Sequence, residues 1–331
     1  MIRYFKLICV CISYFTPILC GAQYNDTAQE RYRNSVLAHE HQSYFTFSSG
    51  FGNLDPLIFE SKLCRTFFFQ LKENAKLAFS GTPMVVLRMY NEYSVPVRTP
   101  SYMPEGSVYY NLGKTNFLLK DQLTLFSKFG HHSNGQSDST YNSDGTVNTK
   151  SGNFSTNFVE FGFMSSEIKH GLKNIVRGYK SSLAFHFFYE PMQEGNFGTV
   201  YWNNEFQFSM FKPLDIIKIF SKGYKHTDVD EADTRSQLRI RTTYALAGLD
   251  NTAAFDFKER FTFTATYSYQ PRFYDQLAVF VKFYWGKDYY NINYRKNIHF
   301  VTFGLISTPL SIQKFERKRR RAEILKAREA Y

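Results

Sequence analysis

Apolar and polar residues alternate strictly along several short segments of this chain. Between Phe261 and Tyr269, the residues Phe261, Phe263, Ala265, Tyr267 and Tyr269 share one face, and Thr262, Thr264, Thr266 and Ser268 the other. That is the period of a strand whose two sides meet different surroundings. Glu205 to Phe211 repeats it, with Phe206, Phe208 and Met210 against Glu205, Gln207 and Ser209. From Gln237 to Ala245, Leu238, Ile240, Thr242 and Tyr244 oppose Gln237, Arg239, Arg241 and Thr243. Arginines alternating with aliphatics suit a wall with water on one side and lipid on the other. A soluble β-sandwich gives the same alternation, so the pattern alone does not separate the two.

The same reading predicts strands at Arg65–Leu71, Met84–Glu92, Ser107–Leu112, Leu123–Ser133, Asn157–Met164, Ser181–Tyr189, Leu277–Trp285 and His299–Ile306. With the three segments above these make eleven, and one more short strand is possible at Ser43–Ser48. Single-chain membrane barrels have an even strand number, so a total of twelve is expected. Polar stretches rich in Gly, Asn, Asp and Ser at Gln136–Ser155 and Ser221–Ser236 read as loops. Long loops of such barrels are typically extracellular, which puts the end of Leu123–Ser133 at the outer rim.

The start of the chain adds the compartment. Arg3 and Lys6 precede an apolar centre from Leu7 to Leu19, and Cys20-Gly21-Ala22 offers a small-residue cleavage site. This reads as a secretory signal cleaved after Ala22. No later run reaches the ~18 apolar residues of a membrane-spanning helix. Aromatic residues make up 18% of the 331. An exported, aromatic-rich chain of alternating strands fits an all-β transmembrane antiparallel β-barrel of the bacterial outer membrane. The expected organisation is a signal at 1–22, a periplasmic lead-in at 23–61, a barrel at 62–310 and a basic tail at 311–331.

Charge and cysteines narrow the partners. Net charge is +11, and eight Lys/Arg against three Glu between Lys314 and Tyr331 supply five of it. In an exported protein this tail reads as solvated or touching anionic lipid, and no nucleic-acid partner is expected. Of four cysteines, Cys9, Cys11 and Cys20 lie in or beside the signal, which leaves Cys64 without an internal disulfide partner. No cysteine–histidine spacing of a zinc site occurs.

The chemistry gathers at Gly130-His131-His132-Ser133-Asn134-Gly135. On an extended segment, His131 and Ser133 share a face with Leu123, Leu125 and Phe129, and His132 points to the other side. A base and a hydroxyl two residues apart can form an activated nucleophile, here on a greasy face. His132 and Glu160 read as lumen-facing polar groups, and Asp138 and Asp144 as loop solvation.

His131-His132-Ser133-Asn134-Gly135 with Ser137-Asp138 resembles the His-x-Ser-Asn-Gly-x-Ser-Asp signature of the outer-membrane phospholipase A family. Pro96-Val97-Arg98 with Tyr102 and Pro104 is similar to the family's segment before its third strand. Tyr284-Trp285-Gly286-Lys287-Asp288 and Ile292-Asn293-Tyr294 resemble the stretch leading into its last strand. The likeness runs over about residues 62–308.

By that resemblance Ser133 is the nucleophile, His131 the general base, and an asparagine holds the imidazole. The family's compact Ser-Arg-Ser-x-Asn is replaced here by a longer loop. Lys150-Ser151-Gly152-Asn153 and Phe154-Ser155-Thr156-Asn157 both resemble it, and both asparagines have the parity of Val159, Phe161 and Phe163. Asn157 is favoured because it opens the next strand. The resemblance further implies a calcium cofactor, Ca2+, with the Gln136 carbonyl and Asn153 as matching ligands. Ser94 matches a carbonyl supplied across a homodimer interface. The implied activity is hydrolysis of phospholipid acyl esters at the outer membrane. A lipopolysaccharide deacylase, or a non-catalytic barrel acting as a pore or structural protein, is the alternative.

Overall fold

The computed structural model describes residues 28–48, 50–72, 75–94, 96–113, 122–168, 176–209, 236–271 and 276–307. The expected signal at 1–22 and basic tail at 311–331 lie outside them. Twelve strands pair antiparallel with their neighbours in the sequence, and the last pairs with the first to close a barrel. Strand β1 is Tyr44–Thr46 continued by Phe51–Gly52, β2 is Leu57–Cys64 continued by Phe67–Phe69, and β3 is Leu77–Thr82 continued by Met84–Tyr90. Next come β4 (Ser101–Tyr102 and Glu105–Gly113), β5 (Gln122–Ser133), β6 (Ser155–Ile168) and β7 (Val176–Phe187). The circuit ends with β8 (Asn196–Ser209), β9 (Ser236–Leu249), β10 (Phe261–Tyr269), β11 (Leu277–Lys287) and β12 (Asn297–Ser307). Closure is made by Tyr44 opposite Ile306 and Thr46 opposite Gly304.

The wall is inverted relative to a soluble protein. Leu125, Phe129, Phe161, Phe206, Val281 and Phe303 are exposed on the outer surface, while Glu60, Arg88, Lys128, Glu205, Arg239 and Lys282 are buried inside. Apolar outside and polar inside is what a lipid-embedded barrel requires. Among the described residues no helix is long and apolar enough to cross a membrane, so the crossing elements are strands.

Two sequence expectations change. The lead-in at 23–61 is in large part barrel: β1 and β2 stand in the wall, and helix α1 (Ala28–His39) sits inside it. Tyr32 and Val36 of the helix pack on Ala78, Tyr109, Phe126 and Met164 of the inner face. A bulge between Leu57 and Phe59 hides β2 from a period-two reading. It turns both Leu57 and Glu60 inward, three residues apart.

The strand ends that flank the two expected long loops also lie at opposite rims. The chain climbs β5 to Ser133 and descends β6, so residues 134–154 lie at the Ser133 end. It descends β8 to Ser209 and re-enters β9 at Ser236, both at the opposite rim, and residues 221–235 of the other expected loop lie outside the described residues. Helix α1 packs against that opposite end, where Gly178, Gln207 and Ser166 lie beside His39.

Candidate active site

Strands β5 and β6 pair in register over twelve positions, and this pairing builds the site. His131 stands directly opposite Asn157, and Ser133 opposite Ser155. On the other edge of β5, Ser133 faces Tyr102 of β4. All these side chains lie on the outer surface, in line with Phe129 (54% exposed) and Phe161 (52% exposed).

Cross-strand opposition brings the His131 Nδ1 to 2.9 Å from the Asn157 Oδ1. An amide oxygen only accepts, so Nδ1 carries the proton and donates it. Nε2 is then the unprotonated nitrogen, free to act as a base. His131, Ser133 and Asn157 are all half-buried. Asn153, the other asparagine of equal parity, does not reach the ring. Its backbone N–H donates to the Asp138 carbonyl (2.9 Å), and its own carbonyl accepts from the Thr140 hydroxyl at 3.4 Å.

Behind this outer face the wall is filled by aromatic rings. His132 points inward, its ring 4.7 Å from that of Phe154. Phe158 stacks on His186 and lies across Gly130, where a Cβ would sit 2.3 Å from the Phe158 ring. Glycine at 130 is therefore what lets an aromatic ring pack behind β5. Glu160 is buried on the inner face, with Lys180 at 3.2 Å and the Ser182 hydroxyl donating to it.

The motif's own asparagine holds the following loop. The buried Asn134 accepts from the backbone N–H groups of Gln136 (3.3 Å) and Phe154 (3.0 Å), and its amide donates to the Gly152 carbonyl at 2.7 Å. Gly135, at φ +67°, makes the turn beside the Tyr102 ring. This knot fastens Gln136 and the Gly152–Phe154 segment at the neck of the loop, next to Ser133. Further out, the Asp144 carboxylate accepts from the Thr146 N–H and hydroxyl, which holds its pKa below the usual range. Arg98 donates to Thr149 (3.1 Å), tying the loop to the connection between β3 and β4. Ser94 is exposed in that same connection, at the Ser133 end.

Among the described residues no three His, Cys, Asp or Glu side chains converge as metal ligands. The loop neck carries the Gln136 carbonyl and the Asn153 amide oxygen. Those are hard, neutral oxygen donors of the kind calcium takes and zinc or copper do not. The residues present fit such an ion.

No family model and no curated protein matches this sequence. Solved structures do. The outer membrane phospholipase A of Escherichia coli superposes with a TM-score of 0.51 at 14% identity, covering 84% of this chain and 98% of that one. The chain shares the fold of outer membrane phospholipase A. An active-site mutant of the same Escherichia coli protein gives 0.48 at 14% identity over 84% and 99% of the two chains. The outer membrane phospholipase dimer with bound calcium from Salmonella typhi gives 0.49 at 15% identity over 83% and 98%.

Sequence reasoning singled out the histidine and the serine but missed what surrounds them. Gly130 was readable only as a break in the apolar pattern, because its reason is a ring on the neighbouring strand. Tyr102 stands in one of the motifs, yet its place opposite Ser133 comes from the register of β4 on β5, which alternation along one strand does not reveal.

Proposed function

We propose that this protein is an outer-membrane esterase that hydrolyses the acyl esters of phospholipids. One observation carries the reading: the His131–Asn157 hydrogen bond stands on the lipid-facing surface, with Ser133 on the same face of the same strand. The Ser133 Oγ attacks the ester carbonyl, and its proton passes to the His131 Nε2. Asn157 keeps the ring oriented and its Nδ1 protonated. The protonated ring then gives its proton to the leaving alcohol, and lysophospholipid departs. Water, deprotonated by His131, releases fatty acid from the acyl-serine and restores the enzyme.

A neutral partner suits this place. An asparagine stabilises the imidazolium less than an aspartate does, but leaves no carboxylate to desolvate beside lipid. The acyl chains already lie against the barrel, so substrate need not be drawn into a pocket. The Gln136 carbonyl and Asn153 would hold calcium, with Ser94 of a second copy completing the site in a homodimer. When bound, the ion would supply positive charge to the oxyanion. Export by a signal over residues 1–22 and cleavage after Ala22 belong to the same reading. Helix α1 inside the barrel speaks against an open pore.

The test is acyl release from phospholipid in detergent micelles with calcium. The parent should hydrolyse, and Ser133→Ala should not. Equal rates for the two would end the proposal. Purified lipopolysaccharide, run in parallel, should give little release.

A further inference from the structure

Inside the barrel, beside the residues that follow helix α1, lies a cavity of about 360 Å³. Lys62, Arg239, Arg241, Lys282 and His41 line it, and Glu105 is the only carboxylate among its lining residues. That carboxylate is already engaged, with Lys128 at 2.7 Å and His41 at 3.2 Å. Lys282 is engaged by Glu60 at 3.4 Å. Arg241 reaches Glu205 through its Nε alone.

Two cations are left without a counter-charge. Lys62 has the neutral ring of His41 as its polar neighbour, at 2.9 Å. Arg239 is 6% exposed and donates only to main-chain oxygens, of Ala38 at 2.8 Å and Glu40 at 3.4 Å. Its buried Nε–H has no acceptor at all. Among the described residues, no carboxylate lies within ion-pair distance of Lys62 or Arg239. Charges buried in this way are costly unless something neutralises them. On the strand of Arg239 and Arg241 and on the strand paired with it, the cavity is also lined by Thr243, Thr262, Thr264 and Thr266, whose hydroxyls donate as readily as they accept.

From this arrangement we infer that the cavity is a binding site for a small oxyanion of the phosphate class, held by Lys62, Arg239 and Arg241. Guanidinium groups suit such an ion because their N–H groups meet two oxygens at once. Arg239 also grips the carbonyls of Ala38 and Glu40. The bound anion would therefore fasten the segment after helix α1 to the wall. This site lies on the inner face and does not depend on the outer-face chemistry.

The full chain, folded in detergent micelles, is titrated with inorganic phosphate at constant ionic strength by calorimetry and thermal melting. Saturable binding and a rising Tm are expected, with sulfate competing and chloride not. Lys62→Met and Arg239→Gln should each weaken binding about tenfold or more. Lys150→Met, in the exposed loop, should bind as the parent does. Absence of saturable binding in the parent overturns the proposal, as does unchanged affinity in the double variant. If a neutral variant does not fold, Lys62→Arg and the parent decide. Binding displaced equally well by chloride would show unspecific attraction and overturn it.

Discussion

The two faces of the barrel wall solve opposite problems with opposite chemistry. On the outer face, His131 is held by one neutral amide at 2.9 Å. On the inner face, Arg88 is fully buried and held by two carboxylates. Its Nε donates to Glu60 at 2.7 Å, and its Nη1 and Nη2 donate to the two oxygens of Asp288 at 2.8 and 2.9 Å. Glu60 also accepts from the hydroxyls of Tyr44 and Tyr289, both at 2.6 Å. Charge is concentrated where other polar groups can surround it and withheld where lipid would. The outer site holds one imidazole in orientation, and the inner network keeps the wall closed across β2, β3 and the turn after β11.

The comparison breaks first at Ser133. Ser133→Ala should lower phospholipid hydrolysis by at least about a thousandfold, since a nucleophile has no substitute. The same variant should melt at the parent temperature, because among the described residues the serine hydroxyl bonds nothing in the wall and its strand pairing is by backbone. A large fall in Tm would mean that the outer face is structural after all.

Arg88→Met tests the inner face. Removing the guanidinium leaves Glu60 and Asp288 as buried charges without their shared partner, a loss of about 3–5 kcal/mol in stability. The measurement is denaturant unfolding in micelles. A change below about 1 kcal/mol would show that water enters the network freely. Because Arg88 and Asp288 are 200 positions apart, no local pattern in the chain announces this pair. Asp288 drew notice only through the run from Tyr284, which said nothing of what it holds.

How much of the structure could be read in advance follows the same division. Strands such as Phe261–Tyr269 were legible because each face has a single kind of neighbour, so period two survives in the residues. Strand β2 was not, because its bulge puts Leu57 and Glu60 on the same side. His131 and Ser133 were legible because both lie on one strand. The choice between Asn153 and Asn157 was not. Both have the same parity, and only the pairing of β5 with β6 sets Asn157 opposite His131. Intra-strand order is written in the chain, whereas inter-strand register is fixed by packing that the chain encodes only collectively.

Asn157→Ala sharpens the outer half of the comparison. Loss of the hydrogen bond frees the His131 ring to rotate and to exchange tautomers. Hydrolysis should fall by about a hundredfold, the scale of a misplaced catalytic group. Stability should change by less than about 1.5 kcal/mol, the worth of one hydrogen bond. A fall in activity as deep as that of Ser133→Ala would give Asn157 a role beyond positioning.

The smallest effect is the most discriminating. Asn157→Asp keeps the shape and the acceptor atom, so the ring stays oriented and hydrolysis should remain within about tenfold of the parent. What changes is a negative charge on a lipid-facing strand. If neutrality is the reason for an asparagine here, Tm should fall, and by more at pH 8 than at pH 5, because only the ionised carboxylate carries the desolvation cost. Replacing Asp288 by asparagine inside the barrel makes the reverse change, since there the charge answers Arg88 and its loss should destabilise. Should Asn157→Asp leave Tm unchanged at both pH values, the outer face would be wetter than its aromatic surroundings imply. The preference for an amide would then have to come from the reaction and not from the membrane.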